Sequence, residues 1–155
     1  MTLTTTTHLN FRGDARAALE FYRSVFGGEI TAAAYADFGM PQDAPGADGL
    51  VFGQLESPAG FRIMAYDVPG ATGGSAGNAG TTRRENGMTV TDRPFFVSVR
   101  GESLDEIRHY WDAFAAEATV IEPLAASPWS PGFGMLTDRF GVTWILDVAP
   151  AGAPA

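Results

Sequence analysis

The order strand, helix, three strands occurs twice in this chain, and that repetition constrains the fold more than any other feature. In the first copy, His8–Phe11 alternates polar and apolar residues as a half-buried strand does. Asp14 is placed to cap the helix that follows. Leu19, Tyr22 and Phe26 recur at helical spacing with Ala18 and Val25 beside them, and Gly27-Gly28 supplies the stop. Strands are expected at about Glu29–Tyr35, Leu50–Glu56 and Phe61–Asp67, with the turn signal "SPAG", Ser57 to Gly60, between the last two. The second copy starts with the strand "RPFFVSVRG". Ser103 and Glu106 form a capping box. Ile107, Tyr110, Trp111 and Phe114 mark one helix face. Strands are expected at Thr119–Glu122, Gly134–Asp138 and Thr143–Val148. The expected organisation is a single α+β domain of two tandem βαβββ modules, about 8–68 and about 93–148.

Between the modules, residues 69–92 are rich in Gly, Thr and Asn and show neither helical nor strand period. They read as a mobile linker that could cover a pocket. The tail, 149–155, reads as disordered. Of the 155 residues 45% are apolar, enough for a real core, and no run is long enough to span a bilayer. The chain has ten arginines, no lysine and a net charge of -8. Nucleic acid and anionic membrane both want a positive face, so neither is expected as a partner. There is no cysteine, which excludes disulfides and thiolate chemistry. The opening "MTLTTTT" has neither the basic region nor the apolar stretch of a secretion signal, so the expected location is the cytoplasm.

Two stretches carry a family resemblance: "NFRGDARAALEFYRSVFGGE" near the start and "WSPGFGMLTDRFGVTWILDV" near the end. Together they resemble the PhnB-like branch of the vicinal oxygen chelate superfamily, which includes glyoxalase I, bleomycin-resistance proteins and extradiol dioxygenases. The resemblance spans about residues 8–148. It implies curved mixed sheets around a cup-shaped cavity, helices on the outside, and a homodimer.

The fold alone does not name the chemistry. Metal-dependent relatives hold their ligands at four strand positions, and the resemblance puts these on His8, near Met64, near Pro94 and near Ile145. Only His8 is of a metal-ligand type. Strand parity adds company. If His8 faces the cup, so does Asn10; if Met64 does, so do Arg62 and Tyr66. Phe96 and Ser98 go with Pro94, and Asp147 goes with Ile145. The opposite set, Leu9, Phe11, Phe95, Val97, Val99, Trp144, Leu146 and Val148, is apolar as a helix-covered face should be.

A metal site needs about three N, O or S ligands, so His8 would have to recruit Asp147 or Glu56. The expectation is therefore no cofactor, with a divalent metal (Zn, Ni, Mn or Fe) as the alternative. His8 is the best candidate for a catalytic base but ranks first as a pocket-lining residue. His109 falls off the apolar stripe and reads as solvated. "GGSAG", Gly73 to Gly77, matches a nucleophile elbow only formally, since it lies in a glycine-rich loop and not at a strand-to-helix turn. The same loop lacks the G-K-[ST] of a P-loop. Trp129, Phe133 and Met135, around "SPWSPGFGM", either wall the cavity and stack on a flat ligand or pack a hairpin or dimer contact. Asp138 and Gly141 read as a turn anchored by Phe140. Some relatives of this branch carry a ubiquinone-methyltransferase label, but no glycine-rich strand-to-helix turn for an adenosyl cofactor is present.

The expected function is binding of a small molecule in the inter-strand cavity by His8, Asn10, Met64, Tyr66, Trp129, Phe133 and Asp147, without a metal. The alternatives are a metal-dependent lyase or dioxygenase, and a bleomycin-type sequestering protein whose acidic surface suits a cationic drug.

Overall fold

The computed structural model describes residues 2–74 and 82–150. The chain divides into two units, Met1–Ser75 and Ala76–Ala155. In the first, β1 (Thr7–Phe11) leads into α1 (Ala15–Phe26), followed by β2 (Glu29–Ala34), a short 3-10 turn (Tyr35–Phe38), β3 (Leu50–Glu56) and β4 (Arg62–Asp67). The sheet order is β1-β4-β3-β2, with β1 parallel to β4 and the other pairs antiparallel. The helix lies on one face of this sheet. Its Ala15, Ala18, Leu19, Tyr22, Val25 and Phe26 are buried, together with Leu9, Phe11, Leu55, Ile63 and Ala65 from the strands. Burying each large side chain contributes about 1.5–3 kcal/mol, which makes this stripe the main support of the unit. The helix ends at Gly27, and Gly28 follows with a φ of 108°. A Cβ at Gly28 would collide with the Glu56 carbonyl, so no other residue fits so close to β3.

The second unit repeats the plan. It starts with a small hairpin, β5 (Arg83–Glu85) and β6 (Met88–Val90), then β7 (Val97–Gly101), α2 (Leu104–Ala115), β8 (Thr119–Ser127), β9 (Ser130–Thr137) and β10 (Thr143–Val148). Its main sheet has the order β7-β10-β9-β8, with β7 parallel to β10. Ile107, Trp111 and Phe114 of α2 are buried, and Phe114 meets Trp144 with ring centroids 4.9 Å apart. Gly132 and Gly134 of β9 make room for Leu104 and Trp111 of the helix. The Ser103 hydroxyl accepts the Glu106 N–H, one half of the expected capping box, while the Glu106 carboxylate accepts the N–H of Glu102 and not that of Ser103.

The fold is α+β with two four-stranded mixed sheets, as expected, and four local readings need correction. The strand before α2 begins at Val97, not Arg93, and Phe95 is 52% exposed instead of covered by the helix. β8 does not stop at Glu122. It runs through Pro123 because it is an edge strand, where a missing N–H costs no ladder bond, and its pairing with β9 slips around that point. β9 begins at Ser130, four residues before the expected start, despite Pro131. There Ser130 takes over lost pairing: its hydroxyl lies 2.7 Å from both the Gly132 and Val148 carbonyls and accepts the N–H of each. Finally, the segment read as a structureless linker contains the β5–β6 hairpin. Its Asn86-Gly87 turn has φ values of 52° and 77°, the left-handed pair a tight two-residue hairpin requires. The remainder of that linker from 75 to 81, most of the "GGSAG" stretch and the tail from 151 onward lie outside the described residues.

Candidate functional site

The parity of β1 and β4 places the candidate residues of the first unit. Along β1, Leu9 and Phe11 are buried while His8 and Asn10 are exposed; along β4, Ile63, Ala65 and Asp67 are buried while Met64 and Tyr66 are half-buried. The register pairs His8 with Met64 and Asn10 with Tyr66. All four therefore stand on the face that α1 does not cover. Gln54, paired with Met64 from β3, joins them; no sequence pattern singles it out. The cluster is knitted together. His8 Nδ1 lies 3.0 Å from Asn10 Oδ1, and the His8 and Tyr66 rings meet edge-on at 5.2 Å. With the amide oxygen accepting, Nδ1 is the donor, and a neutral ring so held presents Nε2 as an acceptor. His8 can then accept a hydrogen bond or a proton from a bound molecule, beside an aromatic ring and a thioether.

The other two proposed metal ligands are already engaged. Glu56 pairs with Arg62 at 2.6 Å. Asp147 is 4% exposed and holds Arg100 through two bonds, Nε to Oδ1 at 3.0 Å and Nη2 to Oδ2 at 2.7 Å. This pairing pushes the Arg100 guanidinium pKa above its ordinary value, through the hydrogen bond first and the charge second. Among the described residues no group of three or more His, Asp or Glu is placed to hold a metal ion. The third family position, carried onto Pro94, falls before β7. The residue that faces Ile145 across the ladder, as His8 faces Met64, is Ser98. Ser98, Met64 and Ile145 are not the ligands a divalent metal needs, so the donor set does not fit the group.

In the second unit Trp129 sits on the two-residue turn between β8 and β9, 49% exposed. Its ring meets Phe133 edge-on at 5.3 Å. Phe133 is paired with Asp147 and faces away from α2. His109 is exposed, as expected. Asp138 is structural: its carboxylate accepts the Phe140 and Val142 N–H groups and the Trp144 indole N–H.

The buried carboxylate that sequence reading misses is Asp67. Its Oδ1 accepts the N–H of Gly13 and of Ala15, and its Oδ2 accepts that of Leu50. Asp14 makes no side-chain cap, so Asp67, from the far end of β4, caps α1 in its place. Tyr35 donates its hydroxyl to the Asp67 carbonyl at 2.7 Å. Burial and the neighbouring Tyr66 and Asp67 raise its pKa above 10.0. This knot floors a cleft of about 1050 Å³ whose walls include Arg12, Asp14, Arg16, Tyr35 and Asp48. His8, Asn10, Met64 and Tyr66 do not line it. Its walls come mostly from loops, with part of α1, and carry charges of both signs.

Comparison with known proteins gives a consistent picture. A family model described as "Glyoxalase/Bleomycin resistance protein/Dioxygenase superfamily" matches residues 6–146. Protein YjdN of Escherichia coli (strain K12) is 25% identical over 148 residues, which span 91% of this chain and 92% of that protein. Protein PA1353 from Pseudomonas aeruginosa, known from a crystal structure, matches with a TM-score of 0.71 at 26% identity, over 96% of this chain and 98% of that one. A PhnB protein from Bacillus cereus, described as a putative 3-demethylubiquinone-9 3-methyltransferase, matches with a TM-score of 0.66 at 24% identity, over 95% of this chain and all of that one. This last likeness is one of fold.

Proposed function

The chain belongs to the glyoxalase/bleomycin resistance protein/dioxygenase superfamily, and on that premise we propose that it binds a small organic molecule in its inter-strand cavity without a metal. One observation carries the reading. His8, Asn10 and Tyr66 form a connected polar and aromatic cluster on strands, on the sheet face that the helix leaves open. Strands hold such groups more rigidly than loops do, and a few fixed polar groups among apolar ones are what a ligand pocket requires. Met64 and Gln54 complete that face, and Trp129 and Phe133 supply stacking surface in the second unit. The protein acts as a cytoplasmic homodimer in this reading.

The test is a thermal-shift screen of aromatic, glycopeptide and thiol-adduct libraries against the parent and against His8→Ala and Tyr66→Ala. Hits that both variants weaken support the reading. Hits indifferent to both variants, or no hits at all, defeat it.

A second reading is favoured by one feature, the position of His8 where metal-dependent relatives keep a ligand. It is a metal-dependent lyase or dioxygenase, and elemental analysis after loading with Zn, Ni, Mn or Fe decides it. Near-stoichiometric metal that His8→Ala abolishes would replace the metal-free proposal. A sequestering role toward a cationic drug would show as affinity that falls with salt.

A further inference from the structure

The β5–β6 hairpin brings an arginine over the sheet face that α2 leaves open. Arg84 and Thr89 are cross-strand partners and share one side of the hairpin. That side meets β9: the Thr89 hydroxyl lies 3.6 Å from Met135 Sδ, and the Arg84 guanidinium carbon lies 5.5 Å from the centre of the Phe133 ring. Arg84 is well covered, with 14% of its side chain exposed. Its Nη1 donates to Thr89 at 3.0 Å. Its Nε is shut away from solvent and has no hydrogen-bond partner among the described residues. The carboxylate of Glu122 stands 3.6 Å from Nε, beyond hydrogen-bonding range.

The same unit contains a direct comparison. Arg100 spends its Nε and Nη2 on Asp147 as a two-pronged grip on a carboxylate. The matching Nε of Arg84 is buried, makes no hydrogen bond among the described residues and is held only by the looser 3.6 Å ion pair with Glu122. A buried charged group with an unspent donor is costly and calls for a reason. The planar fork of an arginine fits a carboxylate in two parallel bonds. Beside it, Phe133 and the half-exposed Trp129 offer ring surface for a flat apolar body.

We propose that Arg84 anchors the anionic end of a ligand bound on the open sheet face of the second unit, and that this unit thereby selects a carboxylate carried on a flat apolar body. This rests on the small-molecule reading above and specifies its chemistry. Glu122 is then a competitor for Arg84, displaced when the carboxylate arrives.

The experiment uses naphthalene carboxylate and its primary amide, equal in shape and different in charge, titrated into the full chain by ligand-observed NMR and by tryptophan fluorescence. The carboxylate is expected to bind more tightly by about 10- to 100-fold, the worth of one charge-assisted pair. Arg84→Gln should erase that preference and leave the amide's affinity unchanged. Arg84→Lys, which keeps the charge and loses the fork, should fall between. Glu122→Gln should strengthen carboxylate binding. Backbone amide shifts of β5 and β6 verify that the hairpin survives in each variant; if Arg84→Gln loses it, Arg84→Lys and Glu122→Gln decide. A preference that persists without Arg84, or equal affinity for the two probes, overturns the anchor and leaves the small-molecule reading standing. Binding of neither probe overturns the ligand class assigned here, whereas the fate of the general reading rests on the His8 and Tyr66 variants.

Discussion

Replacing Asp67 tests whether one buried carboxylate holds the first unit together. It accepts three backbone N–H groups, at 2.8, 3.0 and 2.8 Å, and is 4% exposed. A hydrogen bond to a charged acceptor is worth about 1.5–3 kcal/mol. The three share one group and its desolvation, so their sum overstates the effect. In Asp67→Asn the amide oxygen can keep the Gly13 and Ala15 bonds, weakened by loss of charge. The amide nitrogen then confronts the Leu50 N–H, donor against donor. We expect a loss of about 3 kcal/mol for Asn and about 4–5 kcal/mol for Ala, which leaves all three donors unpaired. Urea denaturation followed by circular dichroism measures the total. Hydrogen exchange at the Gly13, Ala15 and Leu50 amides locates it in the first unit. Asp14→Ala is the contrast, with a smaller cost, because Asp14 makes no cap to the helix. If both Asp67 variants stay within about 1 kcal/mol of the parent and the three amides keep their protection, the clamp is ornamental and the reasoning fails.

Three further outcomes are expected. Gly134→Ala would push a methyl to 2.6 Å from Trp111 Cζ3, and thermal denaturation should register a loss of about 1–3 kcal/mol from overpacking. Ser130→Ala removes the hydroxyl that closes the β9–β10 ladder beside Pro131; a loss of about 1–3 kcal/mol is expected, with faster exchange at the Val148 amide. The Tyr35 phenol should ionise above 10.0 in an ultraviolet titration. Because the fold holds that proton more tightly than the unfolded chain does, stability falls as pH climbs from the unfolded phenol's value through the raised folded one; Tyr35→Phe should remove that part of the alkaline loss.

What the sequence makes legible depends on how far apart the cooperating residues lie. The cap of α2 is readable because Ser103 and Glu106 are three residues apart and the hydroxyl bonds the expected N–H. The cap of α1 is not. Asp14 occupies the right position, but its backbone, at φ −97° and ψ 1°, lacks the extended geometry of a capping residue. The carboxylate that does cap the helix comes from 52 and 54 positions away, and no local spacing announces it. Strand parity, with period two, puts His8, Asn10, Met64 and Tyr66 on one face and Leu9 and Phe11 on the other, where the structure has them. Parity fails at Phe95 because it presumes a strand, and the strand starts two residues later. The β5–β6 hairpin escapes a periodicity argument because three-residue strands are too short to show a period. Its "NG" dipeptide is the available signal. Gln54 and Arg84 enter the candidate sites only through cross-strand register and packing, which a linear reading does not contain.

The two units share strand order and helix placement, yet their open faces are finished differently. In the first, the cluster of His8, Asn10 and Tyr66 is exposed or half-buried. In the second, Ser98 and Arg100 of β7 are exposed as well, but Met135, Thr137, Thr143 and Asp147 of β9 and β10 are each at most 6% exposed, and the hairpin's Arg84 and Thr89 lie against Phe133 and Met135. A duplicated fold needs matching helix faces, because those faces are the cores, and here they match: glycines and small residues under the helix, large apolar residues around them. Nothing in the stability of either unit requires the opposite faces to agree. Divergence of those faces is what selection on ligand recognition would leave, since recognising groups must answer the chemistry of a ligand while the scaffold that carries them need not. An accepting histidine nitrogen in one unit and an arginine fork in the other are chemically distinct grips. The first accepts a hydrogen bond and the second donates two, so a hydroxyl bound by the first unit would answer to the His8 variant, and a carboxylate bound by the second unit to the Arg84 variant.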